Sequence, residues 1–131
     1  MILNKANVNQ RDRILFGEDY DPRKYFGGIR RFSDLDYKRL KELFRLDVID
    51  PEDRQNYAPN IATFMEFLHD HAGFTAEGYA VSPERNDYRV SLEGVNLDRD
   101  YTLKELRDFV MMFRSADEFS IDRGGLHCWY D

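Results

Sequence analysis

An α+β fold is predicted by three features of the sequence. Apolar residues recur at helical spacing in three segments, alternation and turn residues mark two hairpins, and the length suits one core. The expected body is an antiparallel sheet of about four strands, built from two hairpins, with about three helices packed on one face. At 131 residues the chain has the usual size of a single domain, so residues 1–131 are read as one unit.

The opening segment, 1–32, shows no clear period and is expected to be irregular and to pack on the core. Within it Asp21-Pro22 reads as a cap followed by a helix-opening proline, and Gly27-Gly28 as the stop. The first helix is expected from about Asp34 to Leu46, with Ser33 as its N-cap, because a hydroxyl there can accept from an amide one turn on. At 100° per residue Leu35, Leu40, Leu43, Phe44 and Leu46 share one side, while Lys38, Lys41 and Arg45 line the other. Asp50-Pro51-Glu52-Asp53 repeats the cap-and-proline signature and predicts a further short turn.

A second helix is expected over about Ile61–His71, closed by Gly73, which suits the left-handed position after a helix. Phe74–Ser82 and Tyr88–Gly94 then read as strands joined by Pro83-Glu84-Arg85-Asn86-Asp87. In the second of these Tyr88, Val90 and Leu92 alternate with Arg89, Ser91 and Glu93, which predicts a hairpin with one wet side. Thr102-Leu103-Lys104-Glu105 is a capping box that opens a third helix through Phe113. A closing hairpin is expected from Phe119–Asp122 and Leu126–Tyr130, turning at Arg123-Gly124-Gly125.

Hydrophobic residues make up 42% of the chain and charged ones 34%, too apolar a mixture for a disordered segment. One cysteine, Cys128, cannot form a disulfide within the chain. The opening residues hold no apolar stretch of signal-peptide length, and the longest apolar run, Phe109 to Phe113, falls far short of a membrane span. A cytoplasmic protein with no membrane contact is the expectation. The net charge of −6 is uneven: twelve basic and eleven acidic residues precede Glu66, against seven and fourteen from there on. Between Arg23 and Arg45 eight basic residues face three acidic ones, so Arg30, Arg31, Lys38, Lys41 and Arg45 form a candidate anion-facing patch.

Motifs that would carry chemistry fail on spacing. His69 and His71 lie two apart, about 200° around a helix, so their rings diverge. His127 and Cys128 are strand neighbours and project to opposite faces. Asn96, Asp98 and Asp100 imitate the start of a calcium loop, but Tyr101 and Arg107 stand where glycine and glutamate are needed. Gly27-Gly28 and Gly124-Gly125 lack the spaced glycines and the lysine of a phosphate loop. No catalytic residue, cofactor or metal is assigned. Met111 and Met112 sit 120–140° from the centre of their helix's apolar stripe, and two flexible thioethers among charges make a candidate partner surface. The competing reading has Ile14, Leu15 and Phe16 folding over them.

The stretch from Asn56 through Glu93, with Phe64-Met65-Glu66-Phe67 and Gly78-Tyr79-Ala80-Val81-Ser82-Pro83-Glu84-Arg85, resembles small uncharacterised proteins of bacteria, some carried on mobile elements. Tyr25-Phe26-Gly27-Gly28-Ile29-Arg30 shares the resemblance. It implies a bacterial cytoplasmic protein and brings no activity or site residue with it.

Eight tyrosines, the methionine pair and the hairpin edges favour a non-catalytic interaction protein, self-associating or bound to another protein. The alternatives are a nucleic-acid-binding protein using the basic 23–45 segment, or a small ligand-binding domain or enzyme with a pocket of tyrosine and histidine. An acidic mimic of nucleic acid suits the charge of the second half but lacks a contiguous acidic run.

Overall fold

The computed structural model describes residues 1–131. Its order is α1 (Val8–Phe16), β1 (Ile29–Leu35), α2 (Tyr37–Arg45), α3 (Ile61–Asp70), β2 (Thr75–Val81), β3 (Val90–Leu97), α4 (Leu103–Phe113), β4 (Glu118–Asp122) and β5 (Gly125–Trp129). The five strands form one antiparallel sheet in the order β1-β2-β3-β5-β4. The fold is α+β, as the sequence predicts, with one more strand and one more helix.

Both hairpins form, β2 with β3 and β4 with β5, and α4 bridges them so that β5 returns beside β3. Alternate strand residues, among them Phe32, Ala76, Ala80, Val90, Leu92, Val95, Leu126 and Cys128, enter one core with Leu15, Leu40, Leu43, Phe64, Phe67, Phe109 and Phe113 from the helices. Helices α2, α3 and α4 therefore cover one face of the sheet, and α1 packs on β1 and α2 at its edge. Small residues at Ala76, Gly78 and Ala80 thin the sheet beneath α3, which lies against β2 and β3. Its phenylalanines interlock with α4: Phe64 stacks on Phe113 at 5.6 Å, and Phe67 meets Phe113 edge-on at 4.9 Å.

The segment before residue 32 is not irregular. It contains α1 and the start of β1, which forms the sheet's first edge. Helix α1 hides its signal because its innermost positions are polar: Arg11 and Asp12 are both fully enclosed. Arg11 bonds Asp12 at 2.8 Å, the Val81 carbonyl at 2.9 Å and the Tyr25 hydroxyl at 2.8 Å, and lies over the Tyr88 ring at 4.7 Å. Tyr25 in turn donates to Asp12 at 2.6 Å. Every polar group carried inside by α1 has a partner, which is what makes its burial tolerable.

The expected helix start at Asp34, with Ser33 as cap, is also corrected. Ser33 and Leu35 belong to β1, and the cap is Asp36, whose carboxylate accepts from the Arg39 amide at 2.9 Å. A bulge between Phe32 and Leu35, with Asp34 at φ 60°, explains the misreading. It sets two core-facing strand residues three apart, the interval of a helix. The remaining helices begin where expected, α3 at an Asn60 cap and α4 at the Thr102–Glu105 box.

The far face of the sheet is only partly wet. A second bulge pairs Glu77 with Gly94 but Gly78 with Leu92, leaving Glu93 as the extra residue. A Cβ at Gly78 would come 1.9 Å from the Ser91 carbonyl oxygen, so only glycine permits this close approach. Contrary to the expected solvent exposure, Ser91 and Glu93 are buried.

Candidate functional site

Helix α4 is the best-determined element locally. Thr102 caps Glu105 at 3.1 Å, Glu105 returns to the Thr102 amide at 2.9 Å, and Arg99 clamps the same carboxylate at 2.9 Å. The Arg99 guanidinium and that amide hold the Glu105 carboxyl down at about 2. One turn on, Asp108 accepts from His71 at 2.9 Å and from Lys104 at 2.7 Å, and these partners push its carboxyl well below the ordinary range. A helix pinned this firmly presents its outer residues as a fixed surface.

Those outer residues include Met111, 66% exposed, and Met112, 38% exposed. The N-terminal segment does not cover them: α1 packs instead on β1 and α2, with Phe16 against Phe32 at 6.4 Å. Strand β4 meets α4 beneath this surface. Its Phe119 stacks on Phe109 of α4 at 4.9 Å, and Met112 lies one helical turn beyond Phe109. Phe119 and Ile121 sit opposite Cys128 and Leu126 in the register, on the core side of the sheet, yet stay 36% and 45% exposed. Strand β4 is thus an edge with all five residues in solvent and apolar side chains continuous with α4. Sequence reading picked out the methionines but placed Phe119 in an ordinary hairpin. The strand order, which puts β4 at the sheet's edge beside β5, is not written in the local sequence.

At the opposite edge a cleft of about 690 Å³ is lined by Arg23, Lys24, Phe26, Ile29, Arg30 and Arg31. The positive φ of Gly27 and Gly28 makes a tight turn that lifts Phe26 into solvent, 80% exposed. Of the predicted anion-facing patch, the cleft gathers Arg30 and Arg31. Lys38, Lys41 and Arg45 sit on the exposed side of α2, outside the cleft. Much of the positive charge is already answered: Arg30 bonds Glu18 at 3.0 Å and lies 3.9 Å over Phe16, Lys24 also reaches Glu18, and Arg31 meets Glu93. Arg45 is held by Glu42 at 2.8 Å.

A third cluster lies on the far face of the sheet. A depression of about 450 Å³ is lined by Arg31, Ser33, Glu77 and Glu93, with Leu15, Phe16 and Phe32 at its side. Burial raises the Glu93 carboxyl, and the Arg31 guanidinium and Trp129 indole pull it partly back. Glu77 is bonded by His127. Glu93 is thus paired with Arg31 within the depression, while Glu77 and Ser33 are held from outside it, by His127 and Asp34. His69 is exposed beside Asp70, and His71 bonds the Phe67 carbonyl at 2.9 Å as well as Asp108. Cys128 is buried in the core and its thiol is pushed up to about 12 by burial, far from nucleophilic use at neutral pH.

No helix is long and apolar enough to cross a membrane. No protein-family model, curated protein or solved structure matches the chain.

Proposed function

We propose that this chain is a non-catalytic protein-binding protein whose docking surface is the α4–β4 end of the fold. The observation that carries the reading is the exposure of Met111 and Met112 on α4 together with Phe119 and Ile121 on an unpaired sheet edge, two elements that meet where Phe119 stacks on Phe109. Exposed apolar side chains scattered singly are ordinary, but several on a helix and on the edge strand it touches cost solubility unless something covers them. Methionine adapts to irregular partners, which suits a docking role.

The test compares the wild-type chain with Met111→Asp and Ile121→Asp in pull-downs from the native cell, read by mass spectrometry. Met111→Asp falls on a largely exposed position and leaves stability within about 0.5 kcal/mol of wild type, while Ile121→Asp costs about 1 kcal/mol or more, so thermal melts confirm that both variants are folded. A partner retained by wild type and lost by both variants supports the reading. Identical retention by all three proteins, or no specific retention by any, removes it.

The basic cleft supports a second reading, binding of single-stranded nucleic acid with Phe26 as a stacking platform and Arg23 and Arg31 on phosphates. Its signature is retention on immobilised DNA or RNA that falls steeply with added salt and is lost in Phe26→Ala. The internal ion pairs of that cleft make it the weaker of the two.

A further inference from the structure

We infer that β4 is the docking edge for a basic, extended segment of another protein, which joins the sheet as a sixth strand. The inference rests on the α4–β4 reading and names the chemistry of the partner. A sheet ordered β1-β2-β3-β5-β4 has two edges, and they are not equivalent. The β1 edge is blunted: a bulge interrupts it between Phe32 and Leu35, and Phe26 folds back to bridge Ile29 around the Gly27–Gly28 turn. Such breaks are how sheets prevent further pairing. The β4 edge has neither device. Its register with β5 is unbroken from Glu118 to Asp122, and it contains no proline.

Charge decides what can pair there. Along β4 Glu118, Ser120 and Asp122 point to one face and Phe119 and Ile121 to the other. Neither Glu118 nor Asp122 is engaged by a cationic side chain; the Asp122 carboxylate accepts from the Gly124 amide at 2.8 Å, and its carbonyl from the Tyr101 hydroxyl at 2.9 Å. A second copy of β4 laid antiparallel about Ser120 would set Glu118 against Asp122 at both ends, an arrangement that like charges oppose. A strand with Lys or Arg at those two positions reverses the sign of both contacts. Apolar residues between them would lie against Phe119 and Ile121. The matching pattern is therefore basic, apolar, small polar, apolar, basic. In strand addition of this kind main-chain hydrogen bonds give affinity, and alternate side chains give specificity.

The test titrates the isotope-labelled full chain, observed by NMR, with an end-capped peptide Gly-Arg-Val-Thr-Val-Arg-Gly. Two controls replace both arginines by glutamate, or the central threonine by proline. The arginine peptide is expected to shift the amides of Glu118–Asp122. Two favourable cross-strand pairs make it bind about tenfold tighter than the glutamate peptide. In the double variant Glu118→Lys, Asp122→Lys that preference reverses, and the proline peptide binds neither protein. Shifts confined to another region, equal affinity for both charged peptides, or undiminished binding of the proline peptide overturns the inference. So does a concentration-dependent shift of the same amides without peptide, which would assign the edge to a second copy of this chain. If no peptide gives a saturable shift while Met111→Asp and Ile121→Asp still abolish partner capture, strand addition fails and the docking surface stands. If capture is also unaffected, both fail.

Discussion

His127 of β5 reaches Glu77 of β2 across the full width of β3, its ring nitrogen bonding the Glu77 carboxylate. Gly94 stands between the two strands in the register, paired with Glu77 on one side and Trp129 on the other, and presents no side chain. A Cβ there would lie 2.0 Å from the Cys128 carbonyl oxygen. The contact and the seam between the hairpins thus depend on the same missing atom.

Gly94→Ala is therefore expected to push β5 away from β3. The obstacle is backbone and cannot rotate aside, so the loss should reach or exceed the about 1–3 kcal/mol typical of overpacking. Urea denaturation gives the magnitude. Weakened protection of Val95 and Leu97 amides in hydrogen exchange would place the damage at the seam.

Arg11 carries the next expectation. Replacing it by alanine leaves Asp12 buried without its cation and should cost about 3–5 kcal/mol, as for other broken buried ion pairs. Arg11→Met with Asp12→Leu removes both charges and should recover most of that loss. A double variant no better than Arg11→Ala would show that the hydrogen bonds to Val81 and Tyr25 matter more than the charges.

Acid should act on two carboxyls in opposite directions. The folded Glu105 carboxyl is depressed, so it adds stability above its ordinary value and loses that contribution as the pH falls toward about 2. Glu105→Gln should lower the melting temperature at neutral pH and leave it unchanged at the acid limit. Glu93 is raised by burial, so its effect has the other sign. Its contribution is complete below the ordinary carboxylate range and is lost as the pH rises through its folded value. Glu93→Gln should raise the melting temperature at neutral pH and lose that advantage in acid. Circular dichroism melts of the three proteins across this range check both signs.

Thr102→Ala breaks the capping box while leaving Arg99 on Glu105. A loss of about 1 kcal/mol is expected, the usual value of an N-cap side chain. Hydrogen exchange should localise the fraying to the first turn of α4.

How far these features could be read from the sequence depended on whether each signal was local. The Thr102–Glu105 box, the helix expected over about Ile61–His71 and the glycine turn before β5 state themselves within a few residues, and each element lies where expected, although α3 ends at Asp70 without the Gly73 cap. Helix α1 was hidden because Arg11 and Asp12 occupy core positions, and only distant Tyr25, Val81 and Tyr88 make that tolerable. The glycine after its Ile-Leu-Phe run, Gly17 at φ 76°, was the available clue. Strand β1 was misread because its bulge copies a helical interval. Of the candidate surfaces, Met111 and Met112 were visible as misfits on a charged helix face. Arg30 and Arg31 were visible as charge, but their partners Glu18 and Glu93 come from elsewhere in the fold. That Phe119 and Ile121 stand exposed on an unpaired edge follows only from strand order.

Cys128 gives the molecule an internal stopwatch. It is the one thiol in the chain, enclosed on a central strand between β3 and β4, and held almost wholly protonated. An alkylating reagent has nothing to attack until β5 separates from its neighbours. The rate of label uptake then measures how often the two hairpins part, and a ligand clasped to the neighbouring strand should slow that clock.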